Sequence, residues 1–290
     1  GMAKRRGGPT WMNEGYGPDP EHYGYAVWRY ALCGGRMVYH GIYSGGETSV
    51  SRRKLPPVDA KMATMLDILT PGNGRAQSRV RLLNLISRAQ MDAPTALVFG
   101  HARTLNWLDP AFADAGLALA HALAGRGHAV DVFPSSELAS FTVDPDGALR
   151  MGQQRYTALI LHRVDADDIA AFTKLVNNRP FTTALFGWDQ PLSIAEPLTS
   201  GTNAAPIAAL LERARATRQT PLTKRGLTRW SSDRLPAPDG TLTLLDGTVA
   251  RIKGCSPNFA GDPIWGTLTA GGVKIDYSAE GVFATRVDRQ

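Results

Sequence analysis

The sequence predicts an α/β fold: an open parallel sheet with helices on both faces, followed by a small antiparallel β unit at the C-terminus. Three observations predict it. Four short apolar runs, 96–100 (ALVFG), 129–133 (AVDVF), 158–161 (ALIL) and 183–186 (TALF), have the length and unbroken hydrophobicity of buried parallel strands. Helical stretches separate them, and strand–helix alternation at this spacing argues a sheet wound on both faces. Beyond about residue 220 helical periodicity stops, and short alternating runs are punctuated by Asp-Gly, Gly-Gly and Glu-Gly.

The elements fall into three segments, 1–92, 93–220 and 221–290, with no internal repeat. In the first, 10–14 is a short apolar run ending in Glu14, 23–32 (YGYAVWRYAL) can be helical, and 36–43 (RMVYHGIY) reads as a strand. That is a strand–helix–strand slice. Residues 60–69 and 77–91 carry apolar side chains at helical spacing, notably Val80, Leu83 and Ile86, and PGNG at 71–74 separates them. In the second segment an Ala/Leu helix over 111–124 is closed by Gly125 and Gly127. A helix over 165–177 opens with acids, which suit its N-terminus. A Ser/Thr/Gly-rich loop and a helix over 204–218 close the segment. In the third, strands are expected at 241–245, 248–253, 273–277 and 282–287.

The composition bounds the function. Of 290 residues, 43% are hydrophobic and 20% charged, enough for a sizeable core. Charges break every apolar run well before 18 residues, so no transmembrane helix and no membrane partner are expected. The basic start lacks an apolar stretch after it, so no signal peptide is read and a cytoplasmic location is expected. Net charge is +6, but the arginines are scattered singly among carboxylates, which speaks against nucleic acid as a partner. Cys33 and Cys255 read as two reduced thiols. No cofactor is expected: GHARTLNWLDP after the first strand of the sheet has no phosphate-binding glycine pattern, and no His/Asp spacing demands a metal.

The candidate site residues gather at strand ends. In open α/β sheets, ligands bind at the carboxyl ends of the strands. His101, Arg103 and Trp107 follow the first strand, His162 and Arg163 the third, and Trp188 and Asp189 the fourth. If the sheet is parallel they share one edge, which is either a pocket or a polar rim packed on a neighbouring domain. Glu14 is either a catalytic carboxylate at a strand end or a surface acid before a turn. His40, with Tyr43 nearby, either lines a sugar site or ends a strand as a partly buried histidine.

The stretches TALVFGHARTLNWLDP (95–110), GLALAHALAGRGHAVDVFPSSEL (116–138) and GALRMGQQRYTALILHRVD (147–165) resemble the class I glutamine-amidotransferase-like, flavodoxin-like domain of large glycoside hydrolases, including β-galactosidase-like enzymes. DGTVARIKG (246–254) and GGVKIDYSAEGVFATRVD (271–288) resemble the β domain that ends such chains. The resemblance implies that the opening slice is the end of a (β/α)₈ barrel, with Glu14 closing its seventh strand and His40 its eighth. It also implies a carbohydrate ligand and a homo-oligomer.

The departures are chemical. An amidotransferase needs a cysteine on the sharp turn after a central strand, and here His162 and Arg163 stand in that region. A glycosidase needs two opposed carboxylates, and Glu14 has no evident mate. The expectation is a non-catalytic or incomplete relative of glycoside hydrolases, acting in carbohydrate binding or subunit assembly. The alternatives are an independent hydrolase with His101 or His162 as general base, and a protein interaction module.

Overall fold

A computed structural model describes residues 1–8, 10–13, 28, 31–32, 35–38, 74–86, 88–100, 119–120, 123, 128–177, 181–188, 196–198, 239–254 and 261–288. In chain order these form α1 (Met2–Arg6), β1 (Thr10–Asn13), β2 (Gly35–Val38), α2 (Gly74–Ile86), β3 (Thr95–Phe99) and β4 (Val130–Pro134). There follow a 3-10 helix (Ser135–Ser140), β5 (Thr142–Val143), β6 (Leu149–Met151), β7 (Gln154–Tyr156), β8 (Ala158–His162) and α3 (Ala166–Asn177). The remaining strands are β9 (Ala184–Trp188), β10 (Glu196–Leu198), β11 (Asp239–Thr243), β12 (Val249–Lys253), β13 (Pro263–Ala270), β14 (Val273–Glu280) and β15 (Val282–Thr285). The chain divides into two compact units, one of residues 1–8 and 92–222, the other of 9–91 and 223–290.

The first unit is α/β. Its sheet has five strands in the order β10-β9-β8-β3-β4, and every neighbouring pair is parallel. Numbered along the chain, the order is 2-1-3-4-5, so the winding reverses between β3 and β8. The apolar runs are continuous because both sheet faces are covered. Ala96, Val98, Leu159 and Leu161 pack with Phe172 and Val176 of α3. Leu97, Ala158 and Ile160 alternate with them and pack with the helical residues Leu119, Ala120 and Leu123. The fifth strand, β10, lies where the sequence reads as loop. It is three residues long and contains Pro197, which a strand tolerates at a sheet edge.

Between β4 and β8 the chain adds an antiparallel three-stranded sheet, β5-β6-β7. Its turns need glycine: Gly147 and Gly152 have φ of 87° and 58°. Phe133, Phe141 and Tyr156 meet there with ring centroids 5.3–6.1 Å apart.

The second unit draws on both ends of the chain. β1 and β2 pair in parallel, Thr10 with Gly35 through Asn13 with Val38, and the helical Trp28, Ala31 and Leu32 lie between them in sequence. The expected strand at 36–43 pairs with β1 and is described only as far as Val38. Helix α2 starts earlier and ends earlier than the periodicity over 77–91 suggests. Trp28, Leu83 and Ile86 share one core with Leu242, Leu244, Ala250, Ile252 and Val282. The Trp28 ring fills the space a side chain would need at Gly254 and Gly281. The C-terminal β unit is antiparallel, as expected: β11-β12-β15 form one sheet and β13-β14 a long hairpin. Strand β13 was not legible because Gly266 interrupts its alternation.

Candidate functional site: the carboxyl edge of the parallel sheet

Parallel strands end together, so the register decides which side chains can meet. Phe99 pairs with His162, and His162 with Trp188. The ends of β3, β8 and β9 therefore lie side by side on one edge. The reversal of winding between β3 and β8 places the crevice of this sheet type at that point.

Of the residues the sequence singles out, His162 and Arg163 are fully described there, and Trp188 is placed by its backbone as the last residue of β9. His162 is wholly buried, ending β8 inside the sheet rather than on its rim. Its carbonyl accepts a hydrogen bond from the Gly100 amide at 3.1 Å. Glu14, His40, Tyr43, His101, Arg103, Trp107 and Asp189 lie outside the described residues, as do Cys33 and Cys255.

Arg163 has the only positive φ of any non-glycine residue among those described, 48°. L-residues avoid this left-handed region, and one found there at a strand-to-helix turn marks a conformation imposed by its surroundings. The surroundings are visible. A side chain on Gly100 would strike the Arg163 carbonyl oxygen and come within 3.5 Å of Asp165 Oδ1. Glycine at position 100 lets the β8–α3 turn close onto the end of β3. Some hydrolases built on parallel sheets place a nucleophile on a sharp strand-to-helix bend; at this bend stands an arginine, whose guanidinium is no nucleophile at neutral pH.

The sequence reading missed Ser135 and Asp168. Ser135 follows β4, and its Oγ lies 3.0 Å from Asp165 Oδ2 and 2.5 Å from Asp168 Oδ2. A hydroxyl has one proton, so it donates to one carboxylate at a time. The signal was present: PSSE directly after an apolar run, and DADD opening a helix. Two acids beside a serine tie the start of α3 to the end of β4. Among the described residues no group of three His, Cys, Asp or Glu could hold a metal ion. Nor is any helix of the described residues long and apolar enough to cross a membrane.

At the amino end of the same sheet lies a second polar cluster, largely buried. Tyr156 Oη donates to Asp131 Oδ2 at 2.9 Å. Lys4 Nζ of α1 lies 3.2 Å from the same oxygen and donates to Gln154 Oε1 at 2.6 Å. Gln154 Oε1 also accepts from the Ala93 amide, and its Nε2 donates to Asp92 Oδ1. Burial pushes the Tyr156 hydroxyl far above its ordinary range, with the Asp131 charge adding to the effect. Burial likewise pushes the Lys4 ammonium down, and Asp131 beside it works in the opposite sense. Arg5 adds a two-pronged pair with Glu137, at 2.9 and 2.8 Å. This cluster pins α1 into the first unit. Lys4, Asp131, Gln154 and Tyr156 are buried, and Arg5 stands half exposed at the cluster's edge.

Comparison with known proteins adds no identity: no family model, curated protein or solved structure matches the chain.

Proposed function

We propose that this chain is a non-catalytic relative of the carboxyl-terminal part of multidomain glycoside hydrolases, acting in carbohydrate binding or subunit assembly. Its first unit is, in this reading, a flavodoxin-like, class I amidotransferase-like domain without its nucleophile. The strand order 2-1-3-4-5 supports the fold assignment. One observation carries the functional reading: the sharp turn after β8 is held by Arg163 at φ 48°, where nucleophilic chemistry needs a thiol or hydroxyl. A hydrolase working through His162 is disfavoured, because that side chain is fully buried and a general base must reach the proton it removes.

The test is turnover and mass measured together. The intact chain is incubated with glutamine and with chromogenic galactosides and glucosides, and its mass is read by light scattering. The reading predicts no ammonia, no released chromophore, and either an oligomer or a sugar-dependent rise in melting temperature. Turnover of any of these substrates would overturn it.

A further inference from the structure

The β13-β14 hairpin carries an observation that the parallel sheet does not explain. Strand alternation sorts its side chains into two faces. Ile264, Leu268 and Ala270 are buried, and Ile275 and Tyr277 are partly buried with them. The opposite face is exposed along its whole length, and its residues stand in register: Pro263 opposite Glu280, Trp265 opposite Ser278, Thr267 opposite Asp276, and Thr269 opposite Lys274.

Trp265 is 75% exposed, the most exposed large apolar side chain among the described residues. Its backbone is nonetheless fixed. Ile264 before it is buried, and Gly266 after it, at φ 148°, lies beneath Tyr277, whose hydroxyl oxygen would be 3.4 Å from a side chain there. Tyr277 is in turn stacked on Phe283, with centroids 4.9 Å apart. The indole is thus displayed from a rigid strand, at little ordering cost to a ligand.

Its neighbours decide what kind of ligand. Protein-binding patches are depleted of charged residues at their core and carry contiguous apolar area. Around Trp265 stand Ser278, Thr267, Asp276 and, further along, Lys274. Thr267 Oγ1 donates to Asp276 Oδ1 at 2.6 Å, which fixes that carboxylate and leaves its other oxygen without a partner among the described residues. The face combines one flat aromatic surface with short, ordered hydroxyl and carboxylate groups. A pyranose matches it: its axial C–H face is apolar, and its equatorial hydroxyls both donate and accept. Mixed charge, with Asp276 near Lys274 and Glu280 paired with Arg79 at 2.7 Å, suits a neutral sugar rather than an anionic one.

We propose that the outer face of the β13-β14 hairpin is a binding platform for a neutral oligosaccharide, with one sugar ring stacked on Trp265 and its hydroxyls held by Asp276, Ser278 and Thr267. The proposal deepens the carbohydrate branch of the function above and rests on it.

The experiment is native affinity electrophoresis of the intact chain through gels containing a soluble β-1,4-glucan, a β-1,4-galactan or a β-mannan. At least one polysaccharide retards the wild type. Trp265→Ala weakens binding by about tenfold or more, Trp265→Phe by less, because a smaller ring stacks over less area. Asp276→Asn also weakens it. Equal melting temperatures show that the variants are folded, as expected at so exposed a site. Retardation kept in Trp265→Ala but lost in Arg163→Ala would overturn the platform and leave the carbohydrate reading of the chain standing. No retardation of the wild type in any gel would overturn the platform. So would a wild-type oligomer that Trp265→Ala dissociates without any polysaccharide binding, since the face would then join copies of the chain.

Discussion

The parallel sheet of the first unit and the β13-β14 hairpin of the second handle the two faces of a strand in opposite ways. In the sheet, Leu97 and Val98 point to opposite faces and both are wholly buried. In the hairpin, Ile264 is buried and Trp265 is 75% exposed. Polar groups follow the same division. Those of the sheet interior, Lys4, Asp131, Gln154 and Tyr156, satisfy one another. Those of the hairpin face, Asp276 and Ser278, face solvent. Polar groups inside the first unit serve the fold, whereas those of the hairpin face stand in solvent. Substitutions test that division.

The largest effect is expected at Asp131. Asp131→Ala leaves the Lys4 ammonium buried beside Gln154 without its carboxylate, at a cost of about 3–5 kcal/mol in urea unfolding. Asp131→Asn retains an acceptor for the Tyr156 hydroxyl and costs less. Trp28→Ala should be comparable, about 3–5 kcal/mol, since the indole fills the core against Gly254 and Gly281. An effect under 1 kcal/mol at either position would break the comparison.

A smaller effect is expected at the turn after β8. Arg163→Gly accepts the left-handed backbone, whereas Arg163→Val resists it, so valine should be less stable than glycine by about 1–2 kcal/mol. Equal stabilities would show that the turn relaxes out of this conformation.

The next prediction concerns acid. Hydrogen bonding from Arg150 holds the Asp144 carboxyl below the usual carboxylate range. A carboxyl depressed in the folded state contributes stability above its unfolded value and loses it as pH falls through the folded one. Arg150→Leu therefore moves the acid-unfolding midpoint upward. Arg155, 3.2 Å from Asp144, limits the change, and a pair this near the surface contributes under about 1 kcal/mol. The smallest effect is at Trp265, where replacement by alanine should alter stability by no more than about 0.5 kcal/mol. A larger loss would mean that the indole serves the fold.

The parallel sheet was legible because burial on both faces leaves a continuous apolar run, as at 96–100 and 158–161. Helix α3 was legible from its acidic start and apolar spacing. The β5-β6-β7 sheet was not, although DPDG at 144–147 is a strong turn signal, because its strands are only two or three residues long. At the site, sequence could place His162 and Arg163 at a strand end but could not tell a buried side chain from a rim one. Adjacent residues of a strand end differ in just this respect. Ser135 and Asp168 escaped because they stand 33 positions apart in sequence, and only the fold brings them together. Trp265 escaped because an isolated aromatic in a strand reads equally well as core or as surface.

The carbohydrate branch of the proposal holds that the chain binds sugar without cutting it. The most direct measurement is a thermal unfolding curve taken with and without a neutral oligosaccharide, followed by chromatography of the sugar from the same sample. The account predicts a raised melting temperature and an intact oligosaccharide. An unchanged melting temperature, or shortened sugar in the recovered sample, would contradict it.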